Sequence, residues 1–216
     1  MTEENTEFPM AVDAPAEDVS PLTLTMVSEL LALSRQSPRK RMIQRLHKND
    51  DDGVHRMFNA LQPGTYITPH RHMDPPKSET IVVISGSLLF VEFDDEGVYR
   101  THTLLQPGTE NFGVDVAPHV FHTFIVLKPD TLIFEIKDGP YAQATDKDIP
   151  AWAPKEGSPE AEPYLLDLIK HLAELANAAA EKAKAEEAEA AAANAEETAQ
   201  EEGDEGASGS GSPSVN

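Results

Sequence analysis

Two histidines set two residues apart, His70 and His72, lie in the stretch PGTYITPHRHMDPPKSETIVVISG (63–86), and Glu79 follows seven positions after the second. Successive residues of a strand point to opposite faces, so the two imidazoles share one face, and Tyr66 and Thr68 share it with them. Imidazole nitrogen and carboxylate oxygen are donors for Mn, Fe, Ni or Zn, and these three side chains make such a site one ligand short. The best candidate for the missing ligand is His122, in VAPHVFHTF (116–124). His119 falls on the opposite face of a regular strand and is the poorer choice. A divalent metal at such a site polarises a carbonyl, lowers the pKa of bound water, or activates dioxygen if it is iron. His47, His55, His102 and His171 read as ordinary surface or core residues.

The elements that must position these groups are short and β-rich. Runs at 54–61, 65–72, 80–85, 87–93, 98–105, 111–116, 120–127 and 131–137 are separated by turn residues such as Gln62-Pro63-Gly64 and Gln106-Pro107-Gly108. Eight strands at this spacing predict an all-β barrel or sandwich, and at this size a double-sheet jelly roll. Alternation turns Phe124 and Val126 inward from His122 as apolar packing. It puts Arg56 and Asn59 on opposite faces, so one of them at most lies inside. Asn59, Arg56 and Lys77 are the substrate-binding candidates, Lys77 by reaching over the pocket mouth. Tyr66 is the candidate acid, with core packing as the competing reading. Arg71 should point away from the metal and pair on the surface.

Ser20-Pro21 reads as N-cap and first helical residue, and Leu22, Met26, Leu30 and Leu33 recur at helical spacing, predicting a helix over 21–35. The basic run Ser37-Pro38-Arg39-Lys40-Arg41, continued by Arg45, His47 and Lys48, is either a solvated loop or part of a pocket for an anionic substrate. Ser158-Pro159 opens a second helix with an apolar stripe at Leu165, Leu168, Ile169, Leu172 and Leu175. Past Asn177 the chain is alanine, glutamate and lysine, which favours a solvated helix to about residue 200. The expected organisation is a disordered acidic segment (1–19), a β-barrel domain with its N-terminal helix (20–157), a C-terminal helix (158–200) and a disordered tail (201–216).

The formal charge of -21 is uneven: residues 1–18 hold six acids and no base, and 181–206 hold ten acids and two lysines. So acidic a chain repels a nucleic acid. Cysteine is absent, which removes disulfides, thiolate ligands and cysteine nucleophiles. No secretory h-region or stretch of about 20 apolar residues occurs, so the expectation is a soluble cytoplasmic protein with no membrane partner. The two apolar stripes exceed what one barrel needs and suggest a homodimer.

The pattern Gly64-x5-His70-x-His72, then Glu79-x6-Gly86, resembles the first motif of the cupin superfamily, with Gly113, Pro118 and His122 a looser match to the second. The resemblance implies a metal held by His70, His72, Glu79 and His122. The chain departs from the pattern in the longer gap between His72 and Glu79, which contains Pro75-Pro76, and in having His119 where glycine is usual. SPRKR (37–41), MFNALQPGTYITPHRH (57–72), EIKDGPY (135–141) and DKDIPAWAPKEG (146–157) are similar to WbuC-type cupin-fold metalloproteins. That similarity implies a bacterial surface polysaccharide (O-antigen) context, without a reaction. The expected function is a small-molecule enzyme, isomerase- or epimerase-like, acting on an anionic sugar or sugar-acid derivative. An Fe(II)-dependent dioxygenase and a non-catalytic metal-stabilised module that binds carbohydrate or protein are the alternatives.

Overall fold

A computed structural model describes residues 8–205, by backbone alone at 189 and 192–205. Contacts divide the chain into two compact units, Met1–Leu165 and Leu166–Asn216. The first unit is mainly β. Its strands are β1 (Ala11–Val12), β2 (Arg41–Arg45), β3 (Val54–Leu61), β4 (Glu79–Ser85), β5 (Leu88–Phe93), β6 (Tyr99–Leu105), β7 (Gly113–Val116), β8 (Phe121–Val126) and β9 (Thr131–Asp138). A six-stranded sheet runs β1-β2-β3-β9-β4-β7 and a three-stranded sheet β6-β5-β8, antiparallel except for the parallel β1–β2 contact. This is the jelly-roll class expected, with a short N-terminal helix, α1 (Leu24–Gln36), and a longer C-terminal one, α2 (Ala161–Glu205).

Both faces of the larger sheet are covered. Leu30 of α1 packs with Met42, Phe58, Ala60 and Leu132 on the outer face. On the inner face Ile81, Val83 and Ile133 meet Leu88, Phe90, Phe124 and Val126 of the smaller sheet. Phe124 and Val126 are therefore core packing, as the alternation implied. Gly86 joins the two sheets in a left-handed conformation (φ 78°), and a Cβ there would run into Thr131, so this turn needs glycine.

Several expectations are corrected. Residues 65–72 form no strand: apart from single bridges at His70 and Arg71 the stretch makes no ladder, and Pro69 has no N–H to donate to one. The basic run is not a loop throughout, since Arg41–Arg45 pairs with β3 over its whole length. Ala11 and Val12, within the segment expected to be disordered, pair with Ile43 and Gln44. The cap of α1 is Thr23 rather than Ser20, its hydroxyl accepting from Met26 N. In the second unit the helix continues past residue 200 to Glu205, and from Ala176 on every described side chain is exposed. The remainder of the expected tail (206–216) and residues 1–7 lie outside the described residues.

Candidate metal centre

Local pairing gathers the four expected ligands. His70 and His122 exchange backbone hydrogen bonds (His70 N to His122 O 3.1 Å, His122 N to His70 O 2.9 Å), which fixes the 65–72 segment against β8. On its other side Arg71 and Asp148 exchange the same pair of bonds. Glu79 opens β4 opposite Val116 and Lys137 and faces inward with Ile81 and Val83. The result is a cluster of His70, His72, Glu79 and His122 whose ligand atoms all lie within 4.8 Å of one another. Each of the four residues is 4 % exposed or less.

Hydrogen bonding orients the rings. Nδ1 of His70 bonds the Thr68 carbonyl (2.9 Å), Nδ1 of His122 the Val120 carbonyl (2.9 Å), and Nδ1 of His72 the Asp146 carbonyl. A carbonyl only accepts, so each Nδ1 carries the proton and each Nε2 presents a lone pair. Nε2 of His72 lies 3.5 Å, and Nε2 of His122 3.2 Å, from Glu79 Oε2, and these three buried atoms have no hydrogen-bond partner. Three acceptor nitrogens and a carboxylate oxygen converging without a donor fit a divalent cation, whose bond lengths of about 2.0–2.2 Å would draw them slightly closer. Burial, then the Lys147 charge, holds the His70 imidazole well below its ordinary value, so it is neutral as a ligand must be.

The cluster adjoins a cavity of about 590 Å³ lined by His70 and Glu79 and also by Arg39, Arg41, Arg45 and His47. These four residues of the basic run therefore line a pocket rather than a solvated loop. Arg39 and Arg41 pair with Glu156, and Arg45 with Asp13. Asn59 also lines the cavity, donating to Glu135 Oε2 (2.8 Å). Arg56 is exposed on the opposite face of β3, beside Lys48 and Asp52. Thr68 lines the cavity but Tyr66 does not: with the segment not a regular strand the alternation fails, and the Tyr66 hydroxyl donates to the Pro154 carbonyl (2.7 Å). Burial raises that phenol well above its ordinary value. Lys77 is not at the mouth. It is 2 % exposed and donates to the Pro140 carbonyl and to Asp146 (2.8 Å). Arg71 pairs with Asp148 and Asp95, away from the cluster.

Three charged groups escaped the sequence reading. Glu135 and Lys137 share the inner face of β9, and Lys147 reaches the cavity from the segment after it. Burial and the nearby Glu79 push the Glu135 carboxyl up to about 8. Burial works against the Lys137 ammonium, yet Glu135, Glu79 and Asp146 raise it. In TLIFEIK the apolar alternation of Leu132, Phe134 and Ile136 assigns Glu135 and Lys137 to solvent; that solvent is the cavity.

A family model described as "Domain of unknown function (DUF6016)" matches residues 22–105, less than half of the chain. Comparison with curated proteins gives no match. Among solved structures the chain is similar to KdgF from Halomonas sp., at 20 % identity and TM-score 0.36 over 48 % of this chain and 82 % of that one. It is similar to CapF, a capsular polysaccharide assembling protein of Staphylococcus aureus, at 17 % identity and TM-score 0.42 over 50 % of this chain and 29 % of that one. For oxalate decarboxylase of Bacillus subtilis the identity is 16 % and the TM-score 0.37, over 45 % of this chain and 24 % of that one. The chain thus spans under a third of the last two. Among the described residues no helix is long and apolar enough to cross a membrane.

Proposed function

We propose that this chain is a cupin-type, WbuC-like metalloenzyme that isomerises or epimerises a small, oxygen-rich sugar-acid derivative of bacterial surface polysaccharide metabolism. The observation that carries the reading is the set of buried acceptor atoms on His72, His122 and Glu79 that have no donor. His70, His72, Glu79 and His122 would hold the ion. A bound divalent metal supplies positive charge that stabilises an oxyanion next to a carbonyl. Glu135, held at Oε2 by Asn59 and facing Glu79, would take a proton from the carbon beside that carbonyl and return it at the neighbouring position. Glu135 replaces Tyr66 in this role by position, because it lines the cavity and Tyr66 does not. Lys147 and Lys155, which among the described residues line the cavity without an ion pair, favour an anionic substrate.

The same donor set suits Fe(II), which supports dioxygenase chemistry as a second reading. Incubation of Mn- and Fe-loaded protein with a panel of uronic and aldonic acids in deuterated water tests both. Deuterium incorporation at carbon supports the isomerase, and oxygen uptake confined to the Fe form supports the dioxygenase. Neither, in a holoprotein that melts well above the metal-free form, favours a non-catalytic binding module. A cytoplasmic homodimer completes the proposal, Leu22 just before α1 and Leu24 at its start being exposed apolar residues; light scattering at high concentration that shows a monomer contradicts it.

A further inference from the structure

Three carboxylates, Glu79, Glu135 and Asp146, and three ammoniums, Lys77, Lys137 and Lys147, gather around the inner face of the larger sheet. With Glu135 ionised their formal charges cancel, and with its carboxyl protonated, as its raised pKa favours, the set is one positive charge in excess. A divalent ion at the His70–His72–Glu79–His122 cluster then leaves at least two positive charges in surplus, and uncompensated charge in a protein interior is costly. Whatever fills the cavity beside the ion is therefore expected to be anionic.

Most cations of the wall are already committed. Arg39 and Arg41 pair with Glu156, Arg45 with Asp13 and Asp50, and Lys137 with Asp146. Among the described residues, Lys147 and Lys155 line the cavity without an ion pair or hydrogen bond. Lys147 lies between Asp146, whose carbonyl accepts from His72 Nδ1, and Asp148, which exchanges backbone bonds with Arg71, so it stands beside the cluster. Asp148, the next residue, is locked to Arg71 through backbone and side chain, and Asp146, the one before, is held by Lys77 and Lys137. The backbone on both sides of Lys147 is thereby fixed, and its stem is directed inward at little further entropic cost.

We propose that Lys147 is the residue that binds the substrate's carboxylate, placing the adjoining oxygens against the His70–His72–Glu79–His122 cluster. A substrate carboxylate offsets one of the surplus positive charges, and the oxyanion formed beside it is matched by the proton that Glu135 takes up. A single ammonium is a point charge suited to a carboxylate, whereas a phosphate dianion calls for more donors than this position offers. The inference rests on the metal-centre reading and deepens it.

The test uses the full chain and its variants K147M, K147R and K155M, loaded with Mn(II) and titrated calorimetrically with glycolate. Manganese affinity, by chelator competition, and the melting midpoint are measured on the same samples. All four proteins should bind Mn alike. K147M should weaken glycolate about 10- to 100-fold, K147R should regain part of it, and K155M should change it less than about twofold. Equal glycolate affinity in wild type and K147M, an equal loss in K155M, or no binding of glycolate by Mn-loaded wild type overturns the inference and leaves the metal centre standing. A wild type that takes up no Mn, Fe, Ni or Zn removes the metal centre, and with it the charge surplus on which the role of Lys147 depends.

Discussion

Two buried polar clusters lie side by side in this barrel, and they are finished to different degrees. Around Asp146 every charge is met: its two carboxylate oxygens accept from Lys77 (2.8 Å) and Lys137 (2.8 Å), and Lys77 bonds the Pro140 carbonyl as well. Around Glu79 the donors are missing, since the imidazoles spend their protons on backbone carbonyls and turn lone pairs toward a carboxylate. A closed network belongs to the architecture, whereas an array of acceptors without a donor belongs to a ligand. The two meet at Asp146, whose carbonyl orients His72 while its side chain fastens the segment over the cavity.

That contrast is broken most directly by removing one member from each side. His122→Ala should lower metal affinity more than about 100-fold, since even partners one bond removed from a metal typically cost 10–100-fold. Asp146→Ala should instead act on folding, by about 3–5 kcal/mol, because it strands Lys77 and Lys137 as buried cations. Urea denaturation of the metal-free proteins separates the two; a D146A midpoint equal to wild type would contradict the structural role given to the pair.

A smaller effect is expected from Gly86→Ala, about 1–3 kcal/mol, because the turn is left-handed and Thr131 fills the space a Cβ would enter. Acid sharpens the comparison from the other side. His70 is held neutral by burial and by Lys147, so below pH ~6.5 the unfolded chain binds a proton that the folded one refuses. The contribution is present above that pH and lost as the pH falls; Glu135, its carboxyl pushed up to about 8, acts in the opposite sense, so it is in a Glu135→Gln background that the denaturation midpoint of the metal-free protein should drop between about pH 7.5 and 5.5. A midpoint that rises on acidification is the contrary result. Arg71→Ala, which removes surface pairs to Asp95 and Asp148 and a cation over the Phe121 ring, should cost only about 1 kcal/mol.

The sequence was most informative where spacing and chemistry agree. Eight candidate runs gave seven strands close to their observed bounds, and the acceptor cluster follows from one H-x-H pair, one glutamate and one later histidine. The eighth run, 65–72, fails as a strand because Pro69 and the tight turn at Gly64 leave it with β-bridges only at His70 and Arg71. β2 was missed because Arg41 and Arg45 look solvated. Arg41 is buried, yet its guanidinium is met by Thr65, the Tyr66 carbonyl and Glu156, partners remote in sequence. Glu135 and Lys137 were hidden for a related reason, since a polar cavity inverts the usual meaning of alternation.

The central claim is that His70, His72, Glu79 and His122 hold a divalent ion. Elemental analysis of protein purified without added metal, beside its His70→Ala variant, tests it most directly. About one ion of Mn, Fe, Ni or Zn per wild-type chain and almost none per variant chain is the predicted result. Wild-type protein that carries no metal, and whose melting midpoint none of these ions raises, would contradict the account.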